Sequence, residues 1–474
     1  MRAVALSLAL LLVLSALAGA VPALPDADAN GSRDALVAGS APGAEPAVSA
    51  PQPGTETAGS SEQLGTTPDT PAQLADVNGT GTAIDVLGIP SSESTRSTLE
   101  TEHVELGSGL AFSSSTTDVQ LATAATVERI ESAPSPELRQ QYLLQEVSEI
   151  EQRIVAIRAH QRQVVDAYGD GELTPRRFLY ELALIDAEAR ELEQRRERLE
   201  SLAESTPGFS ISSSRFGNVE LELNTLSGPV RGYAGSVLRG EAESARFFVQ
   251  TGTDSIVLGV VRDGTYVRET YRGVLRQGGG DPFSLAEAVN ATEQAYPTIT
   301  DLRLRDDTLG NPDSDSTRVT VEHERGRLVA FVDSGSQRVF KEYQYRPIDQ
   351  VQPRSSTSAV KDALELTAYR TYPGGPVRLQ LNSTTTGDPV DAQITVGPAG
   401  GRSSVIGRTG ADGSLWTLAP SGTYQVTAID GSSVVLLSVA PTSTPYVYGP
   451  VNDSSESDET PTTTPTQTAA TSES

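Results

Sequence analysis

Residues 143–199 read LLQEVSEIEQRIVAIRAHQRQVVDAYGDGELTPRRFLYELALIDAEARELEQRRERL. Leu143, Val147, Ile150, Ile154, Ile157, Val164 and Tyr168 recur by threes and fours, with Gln161 the one polar residue on the seam. That rhythm puts them on a single stripe of a helix. Gly169-Asp170-Gly171 breaks it, and Thr174-Pro175 restarts it with a capping hydroxyl and a proline at the first helical position. Phe178, Leu182, Ile185, Ala189, Leu192 and Leu199 then repeat the rhythm, with Arg196 in the gap. Glu149–Arg153, Asp186–Arg190 and Glu191–Arg195 place an acid four residues before a base, the favourable order on a helix. Two long stripes joined by a short break predict an antiparallel helical hairpin.

A third stripe follows at Phe216, Val219, Leu223, Leu226, Val230, Tyr233 and Val237. Gly228-Pro229 lies inside it, so this third helix should be kinked or split, because proline has no N–H to donate. The alternation Val219, Leu221, Leu223 also suits a strand, but the longer rhythm favours a helix. Upstream, residues 82–126 mix short apolar pieces with polar runs and read as an irregular lead-in, with a strand at Val104-Glu105-Leu106.

Beyond residue 241 the period changes to strands. Ile256–Val261 and Tyr266-Val267 flank an Asp263-Gly264 turn; Ser284 opens a helix that Pro297 ends; Arg318–Val321, Leu328–Val332 and Arg338–Phe340 form a meander. This predicts a small α+β domain with one helix on a sheet. Residues 349–366 read as a polar linker. From 367 to 446, short strands separated by Gly, Pro and Asp turns predict a β-sandwich. The expected fold class is multidomain α+β: a lead-in and helical-hairpin domain at 82–240, an α+β domain at 241–348, the linker at 349–366 and the sandwich at 367–446.

The two ends differ from this. Met1-Arg2, the apolar run Val4–Leu17 and Ala18-Gly19-Ala20 (or Val21-Pro22-Ala23) have the layout of a secretory signal peptide over residues 1–23. Residues 24–81 contain no aromatic residue and cannot bury enough surface to offset ordering entropy, so disorder is expected there. The acidic Ser/Thr/Pro tail at 447–474 carries the same expectation. Sequons begin at Asn30, Asn78, Asn290, Asn382 and Asn452, which secretion would open to N-glycosylation.

The chain carries 62 acids against 36 bases, a net charge of −26, and its only lysines are Lys341 and Lys361. Acidity combined with lysine depletion fits concentrated salt, where a Debye length of about 3 Å at about 1 M removes most of the mutual repulsion of carboxylates. Such a chain is repelled by nucleic acid and by anionic membranes. It has no cysteine, which excludes disulfides, thiolate metal sites and a cysteine nucleophile. Nucleophile-elbow, phosphate-loop, zinc-protease and dinucleotide patterns do not occur. Gly278-Gly279-Gly280 lacks the Lys-Ser/Thr of a phosphate cradle and reads as a flexible loop. The three histidines are scattered: His160 flanks the helical seam, His103 lies in the lead-in, and His323 shares a strand face with Val319 and Val321, as a sheet histidine rather than a general base. Asp313, Asp315, Thr317 and Glu324 fall at calcium-loop positions, but Arg318 occupies the place that requires glycine.

Three resemblances add to this. Gly387–Val396, Thr409-Gly410-Ala411-Asp412-Gly413 and Gly422–Val426 are similar to the carboxypeptidase regulatory-like, or transthyretin-like, β-sandwich modules, which implies an accessory domain without catalysis. Thr320–Glu342 resembles a PepSY-type hairpin, which implies a regulator or inhibitor of a secreted peptidase. Residues 82–347, through Ile89-Pro90-Ser91-Ser92-Glu93, the Tyr168–Phe178 break and Gly228-Pro229-Val230, resemble uncharacterised secreted proteins of haloarchaea. The expectation is a non-enzymatic, exported protein of the cell envelope or extracellular space. It acts by binding or as a spacer, with an envelope or extracellular protein or glycan as partner and no cofactor, metal, nucleic acid or stable membrane insertion.

Overall fold

The computed structural model describes residues 83–448 except 105, 280–282 and 311–313. The expected signal peptide at 1–23, the disordered segment at 24–81 and the tail from 449 lie outside the described residues, as do Asn30, Asn78 and Asn452.

The first strand, β1 (Ser94–Glu102), pairs antiparallel with β2 (Ala245–Gly252), Glu102 facing Ala245 and Ser94 facing Gly252. Five helices stand between these two neighbours: α1 (Leu106–Glu131), α2 (Pro136–Gly169), α3 (Pro175–Glu204), α4 (Ser213–Leu226) and α5 (Pro229–Leu238). The helical region is therefore an insertion into a sheet, and the boundary expected at 240/241 cuts through one structural unit. The strand expected at 104–106 is instead β1, and Leu106 opens α1. Ser94–Glu102 holds one large apolar residue, Leu99, so its strand character comes from a partner far along the chain rather than from its own pattern.

Ser135 and Thr174 cap α2 and α3, accepting from Leu138 N at 3.3 Å and Arg177 N at 3.2 Å. Tyr168 stacks on Phe178 with centroids 4.4 Å apart, His160 meets Glu181 at 3.6 Å, and Arg139 reaches Ser205 at 3.4 Å. Partners that rise in number along α2 fall along α3, so the two run antiparallel. Their seam, including Gln161, is buried.

After β2 come β3 (Ser255–Arg262) and β4 (Thr265–Arg272), then α6 (Leu285–Ala295) and α7 (Pro297–Asp301). A second meander follows, β5 (Arg303–Leu309), β6 (Ser316–His323), β7 (Gly326–Asp333) and β8 (Val339–Pro347). They form one eight-stranded antiparallel sheet in the order β1-β2-β3-β4-β8-β7-β6-β5. Successive residues point to opposite faces. Phe247 and Val249 pack under the inserted helices, while Phe248, Val257 and Tyr266 pack on the other face. The helix α6 opens with a full capping box at Ser284 and Glu287 and covers Val319, Val321 and Leu328. The small α+β domain of the sequence reading is thus half of a larger sheet.

The lead-in is irregular only as far as residue 93, and even there it is closely packed. Ile84, Val86, Leu87 and Ile89 are at most 2% exposed and form a strap across the sheet. Its peptide groups are held by Arg268 (to Leu87 O, 2.8 Å), Arg272 (to Gly88 O, 2.6 Å) and Glu342 (from Leu87 N, 3.0 Å). Val86 N donates to Pro445 O at 2.9 Å, and Val447 N donates to Val86 O at 3.0 Å. Gly88 is required here, because a Cβ would overlap the ring of Tyr446. Val447 and Tyr448, expected within the disordered tail, are packed in place; Tyr448 accepts from Val339 N at 2.8 Å.

The C-terminal sandwich has two four-stranded sheets. One is β14-β11-β10-β9, from β9 (Ser355–Lys361), β10 (Leu364–Arg370), β11 (Pro376–Ser383) and β14 (Ser414–Leu418). The other is β13-β12-β15-β16, from β12 (Gln393–Pro398), β13 (Ser404–Arg408), β15 (Tyr424–Asp430) and β16 (Ser433–Val439). Much of the expected 349–366 linker is β9, a polar edge strand. Tyr372 and Leu418 join the sandwich to the sheet through Phe248 and Tyr266.

If the strap is part of the core, Leu87→Ala should lower the unfolding free energy by about 2–5 kcal/mol. Denaturant titration in concentrated KCl measures this, and a loss under about 0.5 kcal/mol would mark a loosely laid segment.

Candidate functional site

A cluster of buried charges lies where the two meanders meet, on β4 and β8. On the helical face, Lys341 is fully buried and donates to the carbonyls of Asn224 (3.3 Å), Thr225 (2.5 Å) and Ser227 (2.6 Å), the unsatisfied C-terminal end of α4. Glu269 accepts from Val230 N at 3.3 Å and Arg231 N at 3.5 Å, at the N-terminus of α5, and from Arg231 Nε at 2.5 Å. Arg231 also donates to Gln161 Oε1 at 2.6 Å, which explains the polar residue on the helical seam. Asp186 accepts from Gly228 N at 2.7 Å and from Arg190. The break at Gly228-Pro229 is therefore a full split, with a cation on one helix end and anions on the other. On the opposite face, Arg268 pairs with Glu342 at 3.2 Å, and Glu342 also accepts from Tyr296 at 2.6 Å and from the strap. Burial pushes Lys341 well down, with Arg231 adding repulsion, and pushes Glu342 and Asp186 up against their arginine partners. These groups are committed to peptide N–H and C=O groups, a structural use of charge.

The residues singled out by sequence do not converge. His103 is exposed after β1, His160 is exposed on α2, and His323 is buried on β6, where Nδ1 accepts from Arg325 N at 3.3 Å. Among the described residues no contact joins the three. Asp313 lies outside the described residues; Asp315 accepts from Gly279 N at 3.1 Å, Thr317 is buried in β6, and no group of three acidic or histidine side chains able to hold a metal occurs among the described residues. The glycine loop is pinned rather than flexible where it is described: Gln277 N and Gly278 N donate to the buried Asp333 carboxylate at 3.1 and 2.9 Å. Gly278 takes φ +62°, which suits glycine. Asn290 is exposed on α6, and Asn382 is half-buried in β11.

Concavity instead gathers around α5. A cleft of about 770 Å³ lies between α1, α3 and α5, with Phe112, Asp186, Arg190 and Arg239 in its walls. A second, of about 730 Å³, lies between the β2–β3 end of the sheet and strands β13 and β14, with Thr101, Arg246, Val405 and Trp416 in its walls. Tyr233, Glu241 and Arg262 belong to both. The Arg262 guanidinium lies 4.8 Å over the Tyr233 ring, and Arg239 pairs with Glu241 at 2.6 Å, so the shared wall is rigid. Burial raises Tyr233 above its ordinary range, with Asp263 adding to it, and lowers Arg246, against the pull of Glu100. Sequence reasoning missed this site; its one local signal is that the chain's single tryptophan sits in it.

Three family models match the chain: a domain of unknown function (DUF7096) over residues 1–243, a family of unknown function (DUF7094) over 247–352, and an archaeal fibronectin-III type-like domain over 355–437. The last begins at β9 and covers the sandwich, a different sandwich family from the one its turn motifs suggested. The first two divide just before β2, so both contribute to one sheet. No curated protein and no solved structure matches. Among the described residues no helix is long and apolar enough to cross a membrane.

Two buried groups should leave opposite marks on stability. Burial, with Arg346 and Arg325, holds His323 down at about 4 against an ordinary 6.5. The unfolded chain binds that proton across the window and the folded chain does not, so this term stabilises as pH rises from about 4 to 6.5. Burial raises Asp254 from 3.8 to about 6, with Asp166 adding and Arg162, Arg158 and Arg276 opposing. Its contribution is present at low pH and is lost as pH rises through about 6. Urea midpoints measured across this range at fixed salt should show a smaller rise for His323→Gln than for the parent, and a larger one for Asp254→Asn.

Proposed function

The chain belongs to the DUF7096 family, and on that footing we propose that it is an exported, salt-adapted protein of the cell envelope or extracellular space that acts by binding, holding its folded body out from one attachment region. The observation that carries this is the meeting of the strap with residues 445–447 in a parallel bridge: the first and last described segments of the folded body lie against each other. A spacer needs its ends apart to bridge a gap. First and last described segments that lie together suit a body tethered in one region rather than one strung across a gap. The fibronectin-III type-like match fits this setting, since such sandwiches are common in cell-surface proteins. The acidic, lysine-poor composition and the leader-like first 23 residues support export into concentrated salt. The commitment of the buried Asp186, Glu269 and Glu342 carboxylates to peptide groups and arginines supports a non-catalytic role.

The test is a pull-down from native envelope and culture medium in concentrated KCl, paired with turnover assays on peptide, ester and glycan substrates. Retention of envelope material with no turnover is expected. Turnover of any substrate would contradict the reading. Selective capture and inhibition of a co-secreted peptidase through residues 241–348 would replace it with the regulatory alternative.

A further inference from the structure

The cleft at Trp416 is lined by one large aromatic ring and by charged side chains. The chain has one tryptophan, and it is spent on a half-exposed position of β14 rather than in a core, where its area would stabilise most. Among the described residues no ring or cation lies over its indole. An indole in the wall of a cleft offers apolar surface to the C–H face of a pyranose.

The polar groups around it fit the same ligand. Arg246 is fixed on β2, opposite Thr101 in the sheet, and its buried Nη1 has no hydrogen-bond partner among the described residues. An unmatched buried donor is costly, and a hydroxyl or ring oxygen entering the cleft would satisfy it. Arg262, Asp263 and Glu243 line the same cleft. The lining therefore carries both signs, Arg246 and Arg262 with Glu241, Glu243 and Asp263. A polyanion meets the repulsion of a chain at −26, and an apolar peptide anchor finds no deep apolar pocket. A neutral polyhydroxyl ligand meets none of these obstacles.

The volume, about 730 Å³, is that of a small-molecule site, and Tyr233 and Arg262 also line the other cleft, of about 770 Å³. We propose that Trp416, Arg246 and the Tyr233–Arg262 wall form a binding site for a neutral oligosaccharide, between the eight-stranded sheet and the sandwich. This rests on the binding role above and names its ligand class.

Because Trp416 is the sole tryptophan, its emission reports on this cleft alone. The full chain, in concentrated KCl, is titrated with maltohexaose, cellohexaose, chitohexaose and mannohexaose, and with a polar hexapeptide as control; calorimetry reads the same binding independently of emission. At least one sugar should give a saturable change below about 1 mM. Arg246→Met and Tyr233→Ala, checked for parental unfolding midpoints, should each weaken it about tenfold. Silence from every sugar by both methods, equal affinity in the variants, or saturation by the peptide would overturn the site. Hydrolysis of a bound sugar would instead uphold the site and contradict the non-catalytic reading, so the two fail separately.

Discussion

The structure depends on buried opposite charges at the seam where β4 meets β8. Strand alternation sends Arg268 and Glu342 to one face and Glu269 and Lys341 to the other. One set fastens the strap, and the other fastens the split between α4 and α5. Such groups are costly to bury and are kept only where each has partners. Here the partners are peptide groups from distant parts of the chain, so the seam fixes which segments may dock on it.

The seam also accounts for the lysine. Surface cations in this chain are arginines apart from Lys361, yet the fully buried one below the α4 end is Lys341. An ammonium offers three donors from one point, and three carbonyls converge on it. A planar guanidinium would present its donors in a fork that this helix end does not match. At Arg231 the demand is reversed: spread partners in Glu269, Gln161 and Leu226 O suit the fork.

What the sequence discloses follows from how local each signal is. The hairpin of α2 and α3 is legible because its seam repeats within one turn, and the split at Gly228-Pro229 because proline cannot continue a helix. Strands such as Ile256–Val261 announce themselves by composition. The strap, β1, β5 and β9 do not, being short, polar or edge segments whose partners lie far away, as Val86 finds Tyr446. The cleft is less legible still, since its walls come from Thr101, Tyr233, Arg246, Arg262 and Trp416, five residues on separate elements. Family boundaries share this limit: they follow sequence continuity, while the sheet joins β1 to β2 across 142 intervening residues, from 103 to 244.

Native-state hydrogen exchange in concentrated KCl, on the parent and on Glu269→Gln, bears most directly on the role of the seam. The amides of Leu87, Arg231, β4 and β8 should share one high protection class and lose it together in the variant. Loss confined to Arg231 and the helices, with the sheet and strap unchanged, would show that the seam does not bind these parts into one unit.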